Sequence, residues 1–211
     1  MRTRIKLCGI TRPEDAMAAV EAGVDGLGFI FVEKSPRNID PEQAREIIRL
    51  LPPFVDAIGV FVDAEATVVE EIAHYCRLTL VQLHGNEAPG YCRNLPLSVV
   101  KAFRVGADFD GTAFVPYEDC VRGVLLDTYH KDMAGGTGET FDWALVQQLE
   151  PAQPVILAGG LNPENVAAAI EQVRPYAVDV NSGVESAPGR KDLVRLEQFI
   201  RQVRETDAKL S

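Results

Sequence analysis

The stretch Arg4-Ile5-Lys6-Leu7-Cys8-Gly9-Ile10 alternates polar and apolar side chains with a period of two and reads as a strand. Ile5 and Leu7 share one face, and Arg4, Lys6 and Cys8 share the other. Gly-Ile-Thr-Arg-Pro13 follows at once and opens a helix, with Thr11 or Arg12 at the cap and Pro13 in the first turn. A strand that runs straight into a helix belongs to a parallel sheet with both faces covered. Lys6 and Cys8 are therefore expected to point into the protein.

Outward from this stretch the same unit recurs. Strands are expected over 24–31, 55–62, 80–85, 98–103, 123–127, 154–158 and 176–180. Helices are expected from Pro13 to the stop at Gly23, over 40–51, 65–75, 87–93 and 141–149, from the cap at Asn162, and over 191–204. The segment 108–117 allows only a short or irregular helix, because Gly111 and Pro116 interrupt it. Eight strand–helix units with no break in composition predict an α/β protein. The expected architecture is a single (β/α)8 TIM barrel, with residues 1–211 as one domain. A doubly wound sheet ranks second, because it uses fewer units.

The formal net charge of -10 disfavours nucleic acid and an anionic membrane as partners, since both need a basic face. The four cysteines form no Cys-x-x-Cys pair, and the three histidines are not at ligand spacing from them, so no metal site is expected. No secretory leader is legible, and no apolar run approaches the roughly 18 residues that span a bilayer. The expectation is a soluble cytoplasmic protein with free thiols.

In such a barrel chemistry belongs at the carboxyl ends of the strands. Polar residues fall there at Lys6 and Cys8, Gln82 and His84, Asp127, and Asp179. Parity places Gln82 with His84, and Asp127 with Leu125 and Gly123. Glycine clusters follow strands six, seven and eight: Gly135-Gly-Thr-Gly138, Ala158-Gly159-Gly160-Leu161 and Asn181-Ser182-Gly183-Val-Glu185. The last two sit where barrels hold phosphate on backbone N–H groups. Neither a P-loop nor a dinucleotide turn is present, which favours a phosphate monoester over a nucleotide. Each residue also has a plainer reading. Cys8 could be packing, Asp127 a loop cap, His84 a structural histidine, the Gly-Gly pairs turns, and Arg37 a solvated residue. Cys76, Cys92 and Cys120 are read as structural.

Taken together, Lys6-Leu-Cys-Gly-Ile-Thr11, Gly28-Phe-Ile-Phe31, Ser35-Pro-Arg37, Val81-Gln-Leu-His-Gly85, Leu126-Asp127, Gly135-Gly-Thr-Gly138, Phe141-Asp-Trp143, Leu157-Ala-Gly-Gly-Leu-Asn-Pro-Glu-Asn-Val166 and Asp179-Val-Asn-Ser-Gly-Val-Glu185 resemble the phosphoribosylanthranilate isomerases of tryptophan biosynthesis. The resemblance implies an Amadori rearrangement of N-(5-phosphoribosyl)anthranilate to 1-(2-carboxyphenylamino)-1-deoxyribulose 5-phosphate, with no cofactor and no metal. It implies Cys8 as base, Asp127 as acid and Arg37 as holder of the anthranilate carboxylate. Asp179 is matched to ribose hydroxyls, Gly159, Gly160, Ser182 and Gly183 to phosphate, and Lys6, Gln82 and His84 to the substrate pocket. The loop at 135–138 is expected to act as a mobile lid. Lys6 is expected to favour the Cys8 thiolate, and Asp127 to need burial or a nearby negative charge to act as an acid. The partner implied is a small phosphosugar, and a pathway enzyme of this kind is a candidate for contact with its neighbours in tryptophan synthesis. The competing readings are another phosphosugar-converting barrel enzyme, a thiol redox protein, and a barrel that binds a phospholigand without turnover.

Overall fold

The computed structural model describes residues 2–106, 108–127, 143–149 and 151–210. Eight parallel strands close on themselves in chain order. They are β1 (Arg4–Leu7), β2 (Gly26–Ile30), β3 (Asp56–Phe61), β4 (Leu80–Leu83), β5 (Val99–Arg104), β6 (Gly123–Asp127), β7 (Val155–Ala158) and β8 (Ala177–Val180). The described helices are α1 (Pro13–Ala22), α2 (Pro41–Ile48), α3 (Ala66–Cys76), α4 (Pro89–Asn94), α5 (Ala144–Gln147), α6 (Val166–Val173) and α7 (Leu193–Leu210). A 3-10 helix, Gly111–Tyr117, stands between β5 and β6, as the interruptions at Gly111 and Pro116 require.

Strand parity sorts the side chains into two layers. Ile5, Leu7, Leu27, Phe29, Phe61, Val81, Leu83, Val124, Leu126 and Leu157 point outward and are fully buried beneath the helices. Inward lies a separate small cluster of Val100, Ala102, Leu125 and Ala158, with Ile156 against it. The barrel is therefore filled by apolar residues in its middle, which leaves its upper rim for polar ones. Closure occurs between β1 and β8, where Lys6 lies in register with Asp179.

Of the two cap candidates, Arg12 stands at the N-cap of α1 without a side-chain hydrogen bond, and the Thr11 hydroxyl donates to the Gly189 carbonyl at 2.6 Å. Three local expectations are corrected. Asn162 caps a turn and not a regular helix. Its Oδ1 accepts from Glu164 N and Asn165 N at 2.9 and 3.0 Å, and α6 begins only at Val166. Lys191 does not open the last helix. It ends a hairpin of β9 (Glu185–Ala187) and β10 (Arg190–Lys191), and α7 starts at Leu193 and runs on to Leu210. Among the described residues the helix expected at 141–149 covers only Ala144–Gln147. The cluster at 135–138 and the lid expected there lie outside the described residues.

Leu126, fully buried between strand and helix layers, sets a simple test of this packing. Leu126→Ala should lower the free energy of unfolding by about 2–5 kcal/mol, read from urea denaturation.

Candidate active site

A pocket of about 460 Å³ opens at the carboxyl ends of the strands. Cys8, Arg37, Gln82, His84, Asp127, Gly159, Gly160, Asp179, Ser182 and Gly183 all line it. Lys6 stands just below, with its Nζ donating to Asp179 Oδ2 at 2.9 Å. The described catalytic, substrate-binding and phosphate-binding candidates thus converge on one place. A larger cavity, about 710 Å³, lies on the outside near α3. It is lined by exposed His74, Tyr75 and Arg77, far from the strand ends that carry the ring of titratable groups.

The Lys6–Asp179 pair is nearly dry, with side chains 6% and 9% exposed. Burial works against the Lys6 charge, but Asp179 and Cys8 outweigh it and hold the ammonium above the ordinary lysine range. Burial pushes the Asp179 carboxyl up, against the pull of Lys6. Its Oδ1 is buried with no hydrogen-bond partner among the described residues, as is Oε1 of Gln82. Two buried acceptors at the floor of a pocket suit a ligand that brings hydroxyl donors.

At Cys8 the expected pull of Lys6 is present, and burial is larger. Its burial raises the thiol above its usual value, and the opposing pull of Lys6 and Lys191 does not reverse that. Lys6 does favour the thiolate, but desolvation of a side chain this deep is the larger effect. Gly28 on β2 makes room for the sulfur. A Cβ there would stand 2.8 Å from Cys8 Sγ and 3.2 Å from Lys6 Nζ.

On the far side, His84 Nε2 lies 3.2 Å from Asp127 Oδ2, and His84 Nδ1 lies 3.0 Å from Gln82 Nε2. An amide nitrogen only donates, so Nδ1 accepts and Nε2 carries the proton toward Asp127. The Asp127 and His84 side chains are about one-fifth exposed, open to the pocket. Beneath them Lys101, on the outer face of β5, donates to the carbonyls of Leu83, Gly85 and Ala102 at 3.3, 2.9 and 2.9 Å. It also pairs with Glu87 at 3.2 Å, and Glu87 in turn accepts from the amides of Asp63 and Gly85. This network pins the backbone on both sides of His84.

Arg37 is not solvated. Its Nε and Nη2 donate to the Glu185 carboxylate at 2.9, 3.0 and 2.6 Å, and its remaining N–H groups stay available to the pocket it lines. Gly159 and Gly160 take left-handed backbone angles, φ +92° and +65°. Gly183 is required by close approach, because a Cβ would fall 1.9 Å from the Leu161 carbonyl oxygen. The loops after β7 and β8 are thereby pressed together into one glycine-lined wall.

A closed parallel barrel with a thiol, a carboxylate, an imidazole and buried cations gathered at its C-terminal mouth defines the class of (β/α)8-barrel enzymes. Residues 5–202 match the family model described as N-(5'phosphoribosyl)anthranilate (PRA) isomerase. The N-(5'-phosphoribosyl)anthranilate isomerase of Trichlorobacter lovleyi is 53% identical over 204 residues, which is 96% of this chain and 98% of that one. The crystal structure of phosphoribosyl anthranilate isomerase from Thermotoga maritima superposes with a TM-score of 0.90 at 45% identity, covering 96% of this chain and 99% of that one. A second structure, of phosphoribosyl anthranilate isomerase in complex with reduced 1-(o-carboxyphenylamino)-1-deoxyribulose 5-phosphate, has a TM-score of 0.85 at 42% identity and covers 96% and 99%. The chain belongs to the N-(5'-phosphoribosyl)anthranilate isomerase family.

The sequence reading missed Gly28, Glu87, Lys101, Glu185 as a partner of Arg37, and Lys191. The first of these carries a direct test. Gly28→Ala should cut turnover by about tenfold or more through displacement of Cys8, while thermal unfolding shows a folded protein. Unchanged kinetics would show that the sulfur has room to spare.

Proposed function

We propose that this chain converts N-(5'-phosphoribosyl)anthranilate to 1-(2-carboxyphenylamino)-1-deoxyribulose 5-phosphate, with Asp127 as general acid and Cys8 as general base and without a cofactor. The observation that carries the residue roles is that Cys8, directly after β1, and Asp127, at the end of β6, face one pocket from different parts of the rim. An acid and a base on separate parts of the rim can reach two atoms of one substrate.

The chemistry begins with two proton transfers, and proton exchange with solvent after the last step returns Asp127 to its acid form and Cys8 to its thiolate. Asp127 gives a proton to the furanose ring oxygen. The bond from that oxygen to C1′ breaks, and the nitrogen lone pair forms the C1′=N Schiff base. The Cys8 thiolate then takes the proton from C2′. The C–H pair becomes the C1′=C2′ double bond, and the iminium electrons return to nitrogen. Tautomerisation of the resulting enol places the carbonyl at C2′ and a hydrogen on C1′. Electrons balance within the substrate, so no oxidant or reductant enters, and the net change is an aldose-to-ketose isomerisation.

The surrounding groups support this division of labour. Arg37, pre-oriented by Glu185, offers a planar fork to the anthranilate carboxylate. Asp179 Oδ1 and Gln82 Oε1, which have no hydrogen-bond partner among the described residues, offer acceptors to ribose hydroxyls. The wall of Gly159, Gly160, Ser182 and Gly183 suits the phosphate. His84, protonated at Nε2, donates toward Asp127 and keeps its carboxyl aimed into the pocket.

Cys8→Ala and Asp127→Asn should each lower kcat by about a hundredfold or more and leave substrate binding largely intact. Loss of anthranilate fluorescence on freshly generated substrate is the readout, and wild-type turnover in either variant would remove that residue's role. Arg37→Ala should act differently, raising KM by about tenfold or more through loss of a charge-assisted hydrogen bond. Steady-state kinetics in the same assay separate the two effects, and an unchanged KM would refute the Arg37 assignment.

A further inference from the structure

The hairpin after β8 brings two charged side chains behind the site. Glu185 has a side chain 4% exposed, and that of Lys191 is fully covered. Lys191 Nζ is ringed by oxygens: the Cys8 carbonyl at 2.6 Å, Glu185 Oε1 at 3.0 Å, Asn181 Oδ1 at 3.0 Å and the Asn181 carbonyl at 3.3 Å. Burial pulls the Lys191 ammonium below the ordinary lysine range, and Glu185 opposes that pull. A neutral amine has only two N–H groups and would turn its lone pair on one of these acceptors, so the ring of oxygens favours the ammonium against its burial. The hairpin is also stitched to the segment that follows Cys8. Lys191 N donates to Asp15 Oδ2 at 3.1 Å, and Thr11 Oγ1 donates to the Gly189 carbonyl. Glu185 is shared, since its carboxylate holds Lys191 on one side and Arg37 on the other.

Burying an ammonium completely costs several kcal/mol of lost hydration, and an apolar side chain of similar volume would fill the space more cheaply. What an apolar side chain lacks is the charge and the three donors. Resting on the reading of Cys8 as base, we propose that Lys191 is a positioning residue for the isomerisation. It ties the Cys8 backbone to the Glu185–Arg37 pair as one rigid unit and keeps a positive charge behind the sulfur where the thiolate forms.

Charges reach Cys8 from every side. Lys6 lies on its own strand, Asp179 on β8, Arg37 on the loop after β2, and Glu185 and Lys191 on the hairpin. His84 and Asp127 stand across the same pocket. Lys6 and Lys191 pull the thiol down against its burial, and the Arg37 charge also couples to it. Removing Lys191 leaves burial and Asp179 opposed by one cation fewer, so the thiolate becomes harder to form and the acid limb moves to higher pH.

The test compares wild type with Lys191→Met in the full chain. Cys8 alkylation by iodoacetamide is followed across pH by mass spectrometry of its peptide, beside the pH profile of kcat/KM. The alkylation midpoint and the acid limb should both rise by about one pH unit, and kcat at neutral pH should fall about tenfold. A variant with a lower Tm but both profiles at their wild-type pH has lost only packing, and that result overturns the proposal. Should Lys191→Met fail to fold, Glu185→Gln carries the test. Neutralising this anion should lower the Cys8 midpoint and raise KM as Arg37 loses its clamp, and no change in either overturns the proposal. Alkylation needs no turnover. An active Cys8→Ala enzyme therefore strikes at the base assignment and spares a shifted midpoint. An unshifted midpoint beside an inactive Cys8→Ala enzyme strikes at Lys191 alone.

Discussion

The barrel closes where Lys6 of β1 meets Asp179 of β8, in register and almost without water. Parallel pairing at the last seam sets the stagger of all the other strands, because a slip of one residue would turn every inward side chain outward. At this seam a slip would also separate a buried ammonium from its carboxylate, and an unpaired buried charge costs about 3–5 kcal/mol. The ion pair thus penalises the wrong register at the place where the site begins. It stands in the strand that carries Cys8, two residues below it. The charge pair that discriminates between registers is also the floor of the pocket.

The same rim resolves a conflict between the whole molecule and its substrate. The chain carries a formal net charge of -10, yet the ligand its family acts on bears a carboxylate and a phosphate. Lys6, Arg37 and Lys191 concentrate positive charge at the mouth, and Asp179 and Glu185 offset part of it. Low dielectric makes this local arrangement count for more than the distant acidic surface, whose field is damped within about 8–10 Å by salt. The backbone amides of the glycine-lined wall can then bind phosphate without adding a further cation.

Much of this was legible in the sequence, because parity in a strand is a strict rule. Lys6 with Cys8, Gln82 with His84, and Asp127 with Leu125 share the inner face as their spacing requires. What escaped is what parity does not address. Lys191 reads from the sequence as the start of a helix over 191–204, and only the folded hairpin turns it inward. Glu185 closes the glycine cluster after β8, but nothing in the sequence joins it to Arg37, 148 residues away. Lys101 is a different case. It interrupts the apolar run Ser98-Val-Val-Lys-Ala-Phe103, and a lysine inside a strand covered on both faces must find a partner. That signal was available, and it points to Glu87 once β4 and β5 are paired. The net direction of the Cys8 thiol was not available, because it depends on depth and not on neighbours in sequence.

Depth itself has a chemical consequence. A thiol held largely protonated by burial is protected from adventitious oxidation and alkylation, since the thiolate is the reactive form. The thiolate that does form is poorly solvated and correspondingly strong as a base toward a carbon acid. Lys6 and Lys191 counter the burial, so the two opposing effects set how much thiolate exists and how basic it is. Removing either cation would increase basicity while depleting the reactive form. Making the pocket wetter would do the reverse. With Cys8 as the proposed base, proton abstraction from C2′ needs both quantities at once, and a deeply buried sulfur with fixed cations nearby is one arrangement that supplies them from an ordinary side chain.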